Sequence, residues 1–112
     1  MKMPRYSAAD HREDALLATR TTQMNRIQAN FKGNVQGVGF RYTVCRIAEP
    51  LTVTGYVKNL PDGSVEMVAE GSQETLSQLV DKICAEMQGN IREHTVDTSP
   101  PTEEFTGFNI AY

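Results

Sequence analysis

The residues of this chain best suited to chemistry lie in one run, Gly33-Asn34-Val35-Gln36-Gly37-Val38-Gly39-Phe40-Arg41. Gly37 and Gly39 open backbone conformations that a Cβ disfavours, so consecutive N–H groups can turn inward around a small oxyanion. A helix starting near Phe40 adds unsatisfied first-turn N–H groups and the positive end of its dipole. Arg41 then stands where a planar guanidinium can grip two phosphate oxygens at once, a geometry lysine does not offer. The same residues also suit a plain strand-to-helix turn with a solvated charge. Their spacing is neither a Walker A loop nor a G-x-G-x-x-G fingerprint.

Positioning such a loop requires a strand before it and a helix after it. From Arg26 to Lys32, Ile27, Ala29 and Phe31 alternate with polar neighbours, the period of a half-buried strand. Phe40 to about Glu49 carries Phe40, Val44, Ile47 and Ala48 on one helical face, and Pro50 ends the pattern. Val53–Asn59 and Ser64–Glu70 read as a hairpin around Leu60-Pro61-Asp62-Gly63, where proline presets one dihedral and glycine supplies another. A second helix follows an N-cap at Ser72. Its stripe of Leu76, Leu79, Val80, Ile83 and Met87 belongs to the core, and Gly89 stops it. Ile91–Asp97 reads as a weaker strand, Ser99-Pro100-Pro101-Thr102 as a turn, and Phe108, Ile110 and Tyr112 as a closing strand. The order is β-α-β-β-α-β with an extra C-terminal strand, an α+β, ferredoxin-like sandwich with two helices on one face of a mixed sheet.

With 112 residues the chain has the size of one small domain. Residues 1–23 are polar and aperiodic, apart from Ala15-Leu16-Leu17-Ala18, and read as a mobile extension; 24–112 form the domain. Met24 stands just before the first strand and marks a candidate natural start. Residues 1–26 hold five Lys/Arg against three Asp/Glu, leaving 27–112 with six against eleven. An acidic domain repels the phosphate backbone that supplies most nucleic-acid affinity, so any phosphate it holds is small and locally gripped. No apolar run suits a membrane span or a secretory signal, and the acidic residues near the N-terminus count against a mitochondrial transit peptide. A cytoplasmic monomer is the expectation. Cys45 and Cys84 lack metal or CxxC spacing and read as buried free thiols. His11 and His94 each stand apart from other ligand types, so no metal site is expected.

These motifs resemble the acylphosphatases, enzymes that hydrolyse the carboxyl–phosphate bond of acyl phosphates. The resemblance runs from Ile27 to Tyr112. It rests on Gly33-Asn34-Val35-Gln36-Gly37-Val38-Gly39-Phe40-Arg41 and on Gly55-Tyr56-Val57-Lys58-Asn59-Leu60-Pro61-Asp62-Gly63-Ser64-Val65 at the family's separation, with Ala69-Glu70-Gly71 and Phe105-Thr106-Gly107-Phe108-Asn109-Ile110 in support. It implies that Arg41 binds the phosphoryl group with the backbone N–H groups of Gln36, Gly37, Val38, Gly39 and Phe40. It also implies that Asn59 orients the attacking water and that the products are a carboxylate and inorganic phosphate, with no cofactor or metal. Gln36 matters for loop shape rather than chemistry. Where many relatives read Ala-x-x-Leu-Gly, this chain has Ala48-Glu49-Pro50-Leu51-Thr52. Pro50 should therefore shorten or kink the helix, and Thr52 fits a left-handed cap poorly.

Two other functions share these residues. One is a non-catalytic phosphate-binding or protein-interaction module of the same fold, which would not need both Arg41 and Asn59. The other is the acylphosphatase-like domain of hydrogenase maturation proteins, which works with carbamoyl phosphate inside a much longer chain.

Overall fold

A computed structural model describes residues 23–112; the expectations for 1–22, including His11, lie outside the described residues. The elements are β1 (Met24–Gly33), α1 (Phe40–Ala48), β2 (Thr54–Asn59), β3 (Val65–Ser72), α2 (Gln73–Glu86), β4 (Ile91–Ser99) and β5 (Phe108–Ala111). They form one mixed sheet in the order β4-β1-β3-β2-β5. All pairs are antiparallel except β2 with β5, which run parallel from Gly55 opposite Phe108 to Lys58 opposite Ala111. The expected β-α-β-β-α-β order with a fifth strand is therefore present, both helices packing on one face.

Alternation along the strands decides which face that is. Ile27, Ala29 and Phe31 of β1, Val57 of β2, and Val65, Met67 and Ala69 of β3 point toward the helices and are buried. Over them α1 lays Phe40, Val44, Ile47 and Ala48, and α2 lays Leu76, Leu79 and Ile83. α1 covers β2 and β5, while α2 covers β1 and β3. Arg46 of α1 pairs with Glu86 of α2 across the exposed side of the helix layer.

Several local details depart from the sequence expectations. α1 does end before Pro50, but its C-cap Glu49 keeps a right-handed conformation, and Leu51 N–H donates to Ala48 O at 2.9 Å. Thr52 has no positive φ; among non-glycine described residues only Glu103 does. The chain leaves the helix by a short turn, so no left-handed cap is needed. α2 ends at Glu86 with Met87 as its C-cap, and Gly89 takes no left-handed φ, so glycine is not what stops it. Asn90 and Ile91 N–H groups donate to Met87 O instead. β4 is longer than expected, reaching Ser99, and Tyr112 falls outside β5 with its ring exposed. Cys45 and Cys84 are free thiols but only half-buried. Both lie on helix flanks, where desolvation still pushes their pKa values up.

The other sheet face is polar, and the segment before β5 straps across it. Glu70 there is 2% exposed. Its carboxylate accepts the Thr102 and Glu103 N–H groups, each at 2.8 Å, the Thr102 hydroxyl at 2.9 Å, and Arg26 Nη1 at 3.1 Å. The hydrogen bond also helps hold Glu103 at its φ of 59°. Burial alone would raise the Glu70 pKa; the amide, hydroxyl and guanidinium donors outweigh it and hold the carboxyl below its ordinary value. A depressed folded-state pKa stabilises the fold above the ordinary glutamate range and loses that contribution as pH falls through the folded value. Glu70→Gln is therefore expected to lower the urea midpoint at neutral pH. Its difference from the parent should shrink on acidification, which urea titrations at several pH values measure.

Candidate active site

The segment Asn34–Gly39 joins β1 to α1 and is pinned at both ends by core side chains. Val35 and Phe40 are each 1% exposed, and the Phe40 ring lies 5.3 Å from that of Phe31. Between these anchors Gly37, Val38 and Gly39 face solvent. Gly37 and Gly39 each hold φ at 77°, a left-handed conformation costly to residues with a Cβ. Space is not the constraint, since a Cβ at either position meets nothing within 4 Å. Both glycines are thus required by backbone conformation, as the anion-loop reading of the sequence supposes.

Gly39 is also the N-cap of α1, and no side chain caps that end. α2 is built differently: Ser72 Oγ accepts the Thr75 N–H at 3.1 Å, and Glu74 adds a negative charge to the first turn. α1 has no acidic residue in its first turn. Its first-turn N–H groups thus have no capping side chain and its dipole no first-turn carboxylate, the condition that favours an anion.

Gln36 ties this loop to the β2–β3 hairpin. Its Nε2 donates to Leu60 O at 2.8 Å and to Ser64 O at 2.9 Å. The hairpin itself is closed by Leu60 N–H to Ser64 O at 2.9 Å and Gly63 N–H to Leu60 O at 3.1 Å. Asp62 Oδ1 accepts the Ser64 hydroxyl and N–H, which hold its carboxyl below the ordinary value. On the other side of the loop, Asn34 N–H donates to Asn90 O and Asn90 Nδ2 donates to Asn34 O. The loop is therefore fastened to both of its neighbours. Gln36→Ala is expected to cost about 0.5–1.5 kcal/mol for each of the two hydrogen bonds lost, since both carbonyls keep their backbone donors, and to raise the KM for an acyl phosphate. Chemical denaturation and steady-state kinetics on the same variant check this.

One consequence of the tie is that the end of β2 sits beside the loop. Gly37, Gly39, Phe40, Arg41, Tyr42 and Asn59 line one hollow of about 140 Å³, closed by Val35 and Ile110. Arg41, half-buried in the first turn of α1, rests its guanidinium 5.1 Å from the centre of the Tyr112 ring. It makes no salt bridge among the described residues. A ring face engages the flat side of a guanidinium and leaves its N–H edges available. Asn59 Oδ1 is buried with no hydrogen-bond partner among the described residues. A buried acceptor without a donor is costly and marks a position where a ligand can satisfy it. The structure thus brings Arg41, Asn59 and the Gln36–Phe40 loop together. Tyr112 at Arg41 went unanticipated by the sequence reading; the only signal was an aromatic residue continuing the alternation of the closing strand.

His94 lies on β4, its ring stacked 5.9 Å from Phe31 and its nitrogens 3.8 Å and 3.9 Å from Cys84 Sγ. Among the described residues no three His, Cys, Asp or Glu side chains gather as metal ligands. No helix among them is long and apolar enough to cross a membrane.

The fold is a ferredoxin-like α+β sandwich, and comparison with known proteins gives it a family. The acylphosphatase family model matches residues 27–110. An acylphosphatase of Lactobacillus gasseri is 41% identical over 91 residues, covering 80% of this chain and 100% of that protein. Among solved structures, the acylphosphatase from Bacillus subtilis aligns with a TM-score of 0.71 at 32% identity, covering 79% of this chain and 99% of that one. HypF of T. kodakarensis aligns at 30% identity with a TM-score of 0.68, and this chain covers 79% of itself but only 12% of HypF. The chain belongs to the acylphosphatase family and is an acyl phosphate hydrolase.

Proposed function

We propose that Arg41 and the backbone N–H groups of Gln36, Gly37, Val38, Gly39 and Phe40 hold the phosphoryl group while Asn59 orients the attacking water. One observation carries this: the buried, unpartnered Oδ1 of Asn59 lies in the same hollow as Arg41 and the two left-handed glycines. The water oxygen bonds to phosphorus as the bond from phosphorus to the acyl oxygen breaks, and the carboxylate leaves with the bonding pair. The water proton passes to a phosphoryl oxygen, because a neutral amide is too weak a base to take it. A carboxylate is a good leaving group, so no strong general acid is required. The protein contributes position and charge neutralisation, which phosphoryl transfer chiefly demands.

This chemistry uses no metal, and the working unit is a cytoplasmic monomer built from residues 24–112, with 1–23 dispensable. Purified protein is expected to hydrolyse an aromatic acyl phosphate at an undiminished rate in the presence of a chelator, with or without residues 1–23. Activity that returns only with added divalent cation would defeat the mechanism. An inactive protein that still binds inorganic phosphate would point to a binding module.

A further inference from the structure

The helix layer does not cover the whole sheet. α1 packs on β2 and β5, and α2 packs on β3 and β1, which leaves the helix-side face of the edge strand β4 short of cover. Val96 shows the result. It lies on the same face of β4 as His94, whose ring stacks on the buried Phe31, yet it is 40% exposed. Between Val96 and α2 runs a groove of about 250 Å³ whose apolar lining is Ile27, Leu76, Val80 and Val96, with Gln73 and Asp81 the first and last of its residues on α2. Ile27 and Leu76 form a buried floor, while Val80 and Val96 stay partly open to solvent.

The course of the chain into the domain supplies an occupant. Gln73 N–H donates to Gln23 O at 3.2 Å, and Asn25 Nδ2 donates to Gln73 Oε1 at 2.7 Å. The residue that begins the groove on α2 therefore also holds the backbone just before β1. Twenty-two residues precede Gln23, and their longest apolar run, Ala15-Leu16-Leu17-Ala18, ends five positions before it. Five positions of extended chain reach about 17 Å, whereas the helix from Gln73 to Asp81 spans about 12 Å. The run thus reaches the whole groove with slack. Charge agrees: residues 1–22 hold four Lys/Arg against three Asp/Glu, and 23–112 hold seven against eleven. Arg20 falls between the run and Gln23, on the side where Glu74 stands in the first turn of α2.

We infer that this groove is the docking site of the chain's own N-terminal segment, with Leu16 and Leu17 covering Val80 and Val96. A terminus is held where packing ties it down, and two leucines over a partly open apolar groove supply such a tie. The groove shares no lining residue with the hollow at Arg41 and Asn59, so docking bears on stability and leaves hydrolysis unchanged.

Thermal melting of the full chain, Leu16→Asp/Leu17→Asp, Val96→Asp and the combination of all three tests this. The leucine pair is expected to lower Tm by about 4–8 °C, and by much less in the Val96→Asp background, because the effects of residues in contact do not add. No fall from the leucine pair, or equal falls in both backgrounds, overturns the docking and leaves the groove to another partner or to none. A fall that depends on protein concentration places the segment on a second copy and overturns docking within one chain. Where Val96→Asp fails to fold, the methyl resonances of Val80 and Val96 in the otherwise unchanged protein decide. Displacement of those signals by the leucine substitutions supports the assignment, and displacement confined to other residues overturns it.

Discussion

Arg41→Ala is expected to lower kcat by about 10³-fold or more on any acyl phosphate while leaving the fold almost unchanged. The first half follows from the hollow: Arg41 is the charged side chain lining it, beside N–H groups that carry only partial charge. Negative charge spreads over the phosphoryl oxygens as the acyl bond breaks, and a full positive charge with several fixed donors answers it best. The second half follows from what Arg41 touches. Its contact with Tyr112 is a partly exposed cation–π pair worth about 0.5–1 kcal/mol. Arg41→Lys keeps the charge but loses the planar fork, so it should recover only part of the rate. Steady-state hydrolysis and urea denaturation of the three proteins test both halves, and a large loss of stability in Arg41→Ala would count against the assigned role.

Asn59→Ala should separate activity from stability more sharply. Its Oδ1 is buried without a donor among the described residues, a state that costs about 1–3 kcal/mol. Removing the amide removes that cost, so the variant is expected to match or exceed the parent in thermal midpoint. Its kcat should nonetheless fall about 10²- to 10³-fold, with KM little changed, because the proposed phosphate grip belongs to the loop and Arg41. Melting curves and saturation kinetics give the two numbers. A destabilised variant would mean that Asn59 supports the hairpin instead, and an active one would remove it from the reaction.

The features legible in the sequence were those set by residues close together in the chain. The Ile27, Ala29, Phe31 alternation and the Phe40, Val44, Ile47, Ala48 stripe each state a period, and these side chains are buried where the periods place them. The positive φ at Gly37 and Gly39 was legible for the same reason, since only backbone conformation demands glycine there. What escaped depends on partners far along the chain. Glu70 stands in the sequence only as the end of the Ser64–Glu70 strand, and its burial depends on Thr102 and Glu103 crossing over it. β4 looked weak because it is an edge strand with eight of nine residues exposed, so its sequence carries little burial pattern to read. Gln36 could be suspected of shaping the loop, but its acceptors, 24 and 28 residues away, appear only in the folded chain.

That same amide has a consequence for how the protein fails under stress. Through Gln36 the β1–α1 loop and the β2–β3 turn share hydrogen bonds, and through Asn90 the loop also shares them with the turn after α2. Three surface turns, ordinarily the segments that open independently and at little cost, are thereby joined into one cooperative patch. Local fluctuation cannot loosen the arginine side of the site without disturbing the strand end that carries Asn59. Activity should then vanish in a single step on warming, ahead of the core but all at once.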